Sequence, residues 1–310
     1  MSEAGDIRAM VSPGAVLADI ASAIPVDCRK NIIIIGSLAA AYHFFGENPA
    51  IMVRTKDADC LLSPRVSAIP AGIAVTEQLI KEHWTYHATQ EFPTVGDAST
   101  LDNNLPIVRL DPPGSTGWFI ELLAVPESSM DRDRRIVRLI TTAGHFGLCS
   151  FGFLALTNFE PILTPLGIYV AQPDLMALAN LLEHPEIGAE RMSGFIEERR
   201  IKRSNKDLGR VLAIARLSIA QDEDSLLSWP AKWQRAIQAR FPNDWRDLAR
   251  RAGAGLRRLL SQPNDLEEAR YTCEFGLLAS MPPTIEQLRY TGRRLLADAI
   301  EPVEKLATLS

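Results

Sequence analysis

The chain has 310 residues, of which 46% are hydrophobic and 23% charged, with a net charge of −5. That length suffices for one or two domains with cores of their own, and the composition is that of a soluble globular protein. The acidic balance excludes a polybasic nucleic-acid-coating protein. No apolar stretch approaches the ~20 residues that a membrane span requires, and the first residues, MSEAGDIRAM, lack the basic start and apolar segment of a signal peptide. A cytoplasmic protein with no membrane partner is the expectation. Cys28, Cys60, Cys149 and Cys273 lie far apart and form no CxxC pair, which suits reduced thiols.

In chain order, residues 13–24 read as a helix, with Pro13 suited to its first turn. The β-branched run Ile32 to Ile35 reads as a buried strand. Gly36-Ser37 breaks it, Leu38 to Phe45 has the composition of a short helix, and Gly46, Asn48 and Pro49 end that helix. A second strand from about Ile51 carries Asp57 and Asp59. A loop containing Pro64 and Pro70 leads to a helix over 74–84. Short strands follow at 85–92 and 105–110, then a strand from Trp118 to Val125 in which Glu121 is the only charge. Residues 136–141, 151–156 and 166–171 read as strands. From Pro173 the character turns helical: 173–184, 187–202, 204–220, 231–240, 245–261, 265–278 and 284–306, punctuated by Pro230, Pro242, Pro263 and Pro282-Pro283. Ser204 and Asp207 have capping-box spacing. The expected fold class is α/β (α+β), a mixed-sheet domain over 1–172 followed by an all-helical domain over 173–310. Residues 1–170 hold 12 Lys and Arg against 18 Asp and Glu, while the remainder holds 21 against 20. The arginine-rich half therefore reads as a solvated helical surface more readily than as a polyanion-binding face.

The chemistry concentrates between Asn31 and Leu62. Side chains two apart on a strand share a face, so Asp57 and Asp59 would lie side by side. Two like charges so placed call for a cation between them, most simply a divalent ion with oxygen ligands. Gly36 lets another group approach the backbone, and Ser37 offers a hydroxyl beside the free amides of a helix start, which attract phosphate. One half suits metal and the other phosphate, which together describe a nucleoside triphosphate site. Asp131-Arg132-Asp133 has the same spacing but lies among arginines with no apolar strand around it, and reads as a surface feature. His83 and His87 have i, i+4 spacing without the H-E-x-x-H order or an evident third ligand, which argues against zinc. Trp229, Trp233 and Trp245 read as packing residues of the helical half.

Gly36-Ser37, the short helix and Arg54-Thr55-Lys56-Asp57-Ala58-Asp59 resemble the signature of the DNA polymerase β-like nucleotidyltransferase superfamily. Within it the segment is most similar to AbiE-type abortive-infection toxins. The resemblance spans residues 36 to 121 and implies a third carboxylate on a later strand, which Glu121 supplies. It implies Asp57, Asp59 and Glu121 as catalytic and metal-holding residues, Mg²⁺ (or Mn²⁺) as the cofactor, and Gly36, Ser37, Arg54 and Lys206 as nucleotide-binding residues. A weaker likeness continues to about residue 217, where Arg203-Ser204-Asn205-Lys206-Asp207-Leu208-Gly209-Arg210 matches an "R-x-K-D-x-x-D" segment in Lys206 and Asp207, and Lys206 would reach a nucleotide phosphate. Asn180 stands where a helix lysine is expected, and Arg210 where an aspartate is usual. Asp207 reads from its position as a helix-capping carboxylate. The implied activity is transfer of a nucleoside monophosphate from an NTP to an acceptor hydroxyl on RNA, tRNA or protein, in a toxin or defence setting with a cognate antitoxin as partner. A catalytically inactive relative that binds nucleotide, RNA or a partner as a regulator is the alternative, and a purely structural partner-binding module a third.

Overall fold

The computed structural model describes residues 10–46, 48, 50–114, 117–127, 135–187 and 191–309. Its centre is a mixed sheet of nine strands among the described residues. From one edge the order is Ile162–Leu163, Tyr169–Val170, Ile32–Ile34, Asp57–Leu62, Phe119–Ala124, Arg109–Asp111 and Thr85–Tyr86. The hairpin Arg135–Thr141 with Gly144–Ser150 joins through Leu123, which is paired with Cys149. Asp57–Leu62 runs parallel to Phe119–Ala124 and antiparallel to Ile32–Ile34. The three middle strands are almost wholly apolar because helices cover both faces.

On one face lies the helix Arg65–Lys81. Sequence reasoning expects a loop through Pro70 and a helix only from residue 74; the helix instead continues through that proline. Ala68, Ala71, Gly72, Val75, Thr76 and Leu79 form an unbroken buried stripe at helical spacing. Burying that stripe against Leu62, Leu139 and Leu148, which crowd Gly72, outweighs one lost backbone hydrogen bond. On the other face lie Gly36–Phe45, Pro173–Ile187 and Arg203–Gln221, with Pro263–Glu274 packed against the last. The buried residues form one continuous core from Val11 to Ala307. Trp229, Trp233 and Trp245 belong to it, and the four cysteines are free thiols.

Several expectations are corrected. The second half is not all-helical: the segment read as a helix over 187–202 contains the strands Met192–Ile196 and Arg199–Lys202, paired as a hairpin. Its Glu and Arg content favours helix, but Ser193, Ile196 and Ile201 are buried, and Glu197 takes a left-handed φ of 52° at the tip. The strand expected at 151–156 is replaced by a helical turn, Leu154–Thr157, while Gly144–Ser150, not anticipated, is a strand. Ser204 lies inside its helix and caps nothing; the residue at the cap position is Lys202. A capping box does occur at Thr284 and Gln287. The helix expected at 245–261 is two helices, Trp245–Arg251 and Ala254–Ser261. The Asp131-Arg132-Asp133 segment lies outside the described residues.

Gly209 marks where Arg203–Gln221 meets Pro263–Glu274: a Cβ there would stand 2.7 Å from the Ala269 carbonyl and 2.9 Å from Thr272 Cβ. Gly209→Ala should therefore overpack this crossing and lower stability by about 1–3 kcal/mol, read as a lower urea midpoint with an unchanged slope.

Candidate nucleotide site

Strand register assembles the acidic wall. Asp59 pairs with Glu121 and Asp57 with Phe119 across the parallel ladder, while Glu121 pairs with Arg109 on its other side. Paired residues project to the same face, so Asp59, Glu121 and Arg109 form one row, with Asp57 and Phe119 in the next. The Thr55 hydroxyl donates to the Asp57 carboxylate at 3.2 Å. The Arg109 Nε donates to Glu121 Oε2 at 2.5 Å. Burial, then the neighbouring charges of Asp57 and Glu121, hold the Asp59 carboxyl well above the usual carboxylate range.

Ile32–Ile34 delivers Gly36 to this wall. The Ile35 amide donates to the Asp59 carbonyl at 2.9 Å, and Gly36 adopts φ +72°. A Cβ at Gly36 would lie 2.6 Å from Asp59 Oδ2. Glycine is thus required twice, by conformation and by space. Ser37 follows at the start of Gly36–Phe45.

A cavity of about 540 Å³ opens between this wall and two helices. Gly36, Ser37, Asp57, Asp59, Glu121 and Lys206 all line it. Lys206 comes from the first turn of Arg203–Gln221, beside Arg203 and Arg210. Asn180 and Arg210, the two departures from the family pattern, line the same cavity. Arg54 does not: its guanidinium pairs with Glu197 at 3.0 Å and lies over the Phe275 ring. The chain breaks at Thr55-Lys56 between the strands Val53–Arg54 and Asp57–Leu62, which separates Arg54 from the face that Asp57 occupies. Its assignment as a nucleotide ligand is therefore withdrawn.

Among known proteins, no family model and no curated protein matches this chain. It is similar to one solved structure, the Bradyrhizobium diazoefficiens CD-NTase CdnG in complex with GTP, at 12% identity over 96% of this chain and 97% of that one. The TM-score is 0.21. A likeness of that size carries no weight for fold or activity.

Sequence reasoning missed Arg109, Glu183 and Arg203. Arg109 is a lone charge between Val108 and Leu110, but only the register reveals that it faces Glu121. Glu183 shares a helical face with Met176, Ala179 and Asn180, all lining the cavity. Asp207 is no capping group. It is buried, accepts from Arg203 Nε at 3.0 Å and lies 3.7 Å from Arg210. The charge of Asp207 raises the Arg203 pKa against the opposing effect of burial. His83 and His87 do not meet as a pair: His83 has a left-handed φ of 68°, and His87 Nδ1 is 2.8 Å from Asp111 Oδ1. Among the described residues, no group of three or more His, Cys, Asp or Glu is arranged to hold a metal ion, so Asp57, Asp59 and Glu121, expected as a metal-holding set, do not form one in this structure.

Burial, followed by the Asp207 charge, pushes the Glu183 carboxyl up to about 7 against the pull of Arg203, Arg210 and Arg191. A raised carboxyl binds its proton more tightly in the folded chain, so its contribution to stability falls as pH rises from about 4.5 to 7. Glu183→Gln should remove that loss. Relative to the wild type, the variant should gain stability between pH 5 and pH 8, by up to roughly 1–3 kcal/mol, in urea unfolding at the two pH values.

Proposed function

We propose that the cavity binds a nucleoside triphosphate and that the chain transfers its nucleoside monophosphate to an acceptor hydroxyl. The observation that carries this reading is the opposition of Asp57, Asp59 and Glu121 to Arg203, Lys206 and Arg210 across one cavity, with Gly36-Ser37 at its rim. Phosphoryl transfer requires chiefly charge neutralisation and in-line positioning, and this arrangement has groups for both. Asp57 and Asp59 would hold Mg²⁺ or Mn²⁺, with Glu121 as the third carboxylate. When bound, such an ion would supply charge neutralisation for the phosphates and make the acceptor hydroxyl more acidic.

The residues of the chain divide the remaining work. Ser37 and the amides after Gly36 hold terminal phosphates at a helix start. Lys206 and the arginines beside it neutralise the polyphosphate from the opposite side. The acceptor oxygen forms a bond to the α-phosphorus as the bond from that phosphorus to the bridging oxygen breaks. Pyrophosphate leaves with the electron pair, and the acceptor proton is released to solvent. Arg109 holds one oxygen of Glu121 and so fixes the orientation of that carboxylate. By the family resemblance, RNA, tRNA and protein hydroxyls are the acceptor classes, and a cognate antitoxin would be the partner that restrains the activity.

The second reading, a nucleotide-binding regulator without transfer, is favoured by that same ion pair, because Arg109 already neutralises Glu121. One experiment separates the two. Purified chain is incubated with each α-³²P-labelled NTP, Mg²⁺ or Mn²⁺, total RNA and lysate protein, beside the Asp57→Asn/Asp59→Asn variant. Label on a macromolecule with the wild type, reduced at least 100-fold in the variant, is the expected result; Glu121→Gln should lose activity in the same direction. Metal-dependent NTP binding by calorimetry without transfer would support the regulator. Transfer that survives the double variant would remove the carboxylates from the mechanism.

A further inference from the structure

The row of side chains that begins with Asp59, Glu121 and Arg109 does not stop at the cavity. The next strand, Thr85–Tyr86, pairs with Arg109–Asp111, and the His87 amide donates to the Arg109 carbonyl at 2.9 Å. His87 therefore continues the same row on the same face. Two contacts agree with that placement. The His87 ring stacks on Phe119 with centroids 4.2 Å apart and planes at 30°, and Phe119 neighbours Asp57 in the ladder. Asp111 accepts or shares the proton at His87 Nδ1 at 2.8 Å, which fixes the ring. Phe119 is buried, whereas the His87 side chain keeps 33% of its surface exposed. One face of the imidazole is covered by Phe119, so a held ring offers its other side to solvent. The Arg109 guanidinium lies 5.7 Å from the same Phe119 ring.

We infer that His87, backed by Phe119 and fixed by Asp111, is the platform on which the terminal base of a single-stranded nucleic-acid acceptor stacks. This rests on the transferase reading of the adjacent carboxylates. Two strand spacings separate His87 from Glu121, about 10 Å, which is on the scale of the nucleotide that carries the attacking hydroxyl. A base is attached to the same sugar as that hydroxyl, so it must rest within about that distance of the reacting atom. A serine or threonine hydroxyl brings no planar group to such a place, which favours nucleic acid over those protein acceptors. Base stacking on an aromatic or imidazole ring is tolerant of sequence.

The test is fluorescence anisotropy of a 5′-labelled single-stranded RNA decamer with a free 3′ hydroxyl, using the full chain. His87→Ala should weaken binding roughly 5- to 100-fold, His87→Phe should restore most of it, and calorimetric affinity for Mg²⁺-ATP should be the same in both. RNA binding that is unchanged in His87→Ala, or equally weak in His87→Phe, overturns the inference. So does transfer of label to protein without RNA binding, which would leave the transferase reading standing. RNA binding that depends on the His87 ring in a chain that binds no NTP would uphold the platform and overturn the transferase reading instead.

Discussion

Three carboxylates placed on adjacent strands, facing one way, are the constraint around which this molecule is arranged. Asp57, Asp59 and Glu121 repel one another, and burial together with the charges of Asp57 and Glu121 holds the Asp59 carboxyl well above the usual carboxylate range. A fold can retain such a cluster only by surrounding it with positive charge or with donors. The chain does both. Arg109 pairs with Glu121 inside the sheet, Arg203 and Arg210 pair with the buried Asp207 on the helix opposite, and Lys206 stands beside them at the cavity. Gly36 is the complementary concession: only the absence of a side chain lets the backbone pass so close to Asp59 Oδ2.

The apolar framework explains why the cluster keeps its geometry. Ile32–Ile34, the alternate residues of Asp57–Leu62 and those of Phe119–Ala124 are buried among themselves and under Arg65–Lys81. Each strand of the sheet thus has its face assignment fixed by burial, because a slip by one residue would turn the carboxylates into the core and Leu62 or Leu122 into the cavity. The polar face is therefore set by the hydrophobic one.

This division also accounts for what could be read from the chain alone. The carboxylate strands were legible because a charge in an apolar run has a single sensible face, and Gly36-Ser37 was legible because a β-branched run ends there. Arg109 was not, since its partner is fixed by cross-strand register, a non-local property. The hairpin at 192–202 was hidden for a different reason: Glu and Arg favour helix locally, and burial of Ser193, Ile196 and Ile201 overrides that preference only once the helices around them are in place. Pro70 misled in the opposite sense, as a local breaker overridden by the long buried stripe from Ala68 to Leu79. Arg54 sits only three residues before Asp57, yet the short break at Thr55-Lys56 sends it to Glu197; adjacency in sequence was mistaken for adjacency in space.

Asn180 and Arg210 stand where the resemblance to nucleotidyltransferases expects a lysine and an aspartate, and both line the same cavity. The Asn180 amide donates to the Met176 carbonyl of its own helix at 3.0 Å. Arg203, Lys206 and Arg210 stand on successive turns of Arg203–Gln221 and all line the cavity. Glu183, on the helix Pro173–Ile187, lines the same cavity, and burial followed by the charge of Asp207 pushes its carboxyl up to about 7. A polyphosphate entering this cavity would meet carboxylates from the sheet and cations from the helix Arg203–Gln221, and the proposed nucleotide reading rests on that pairing of opposite charges.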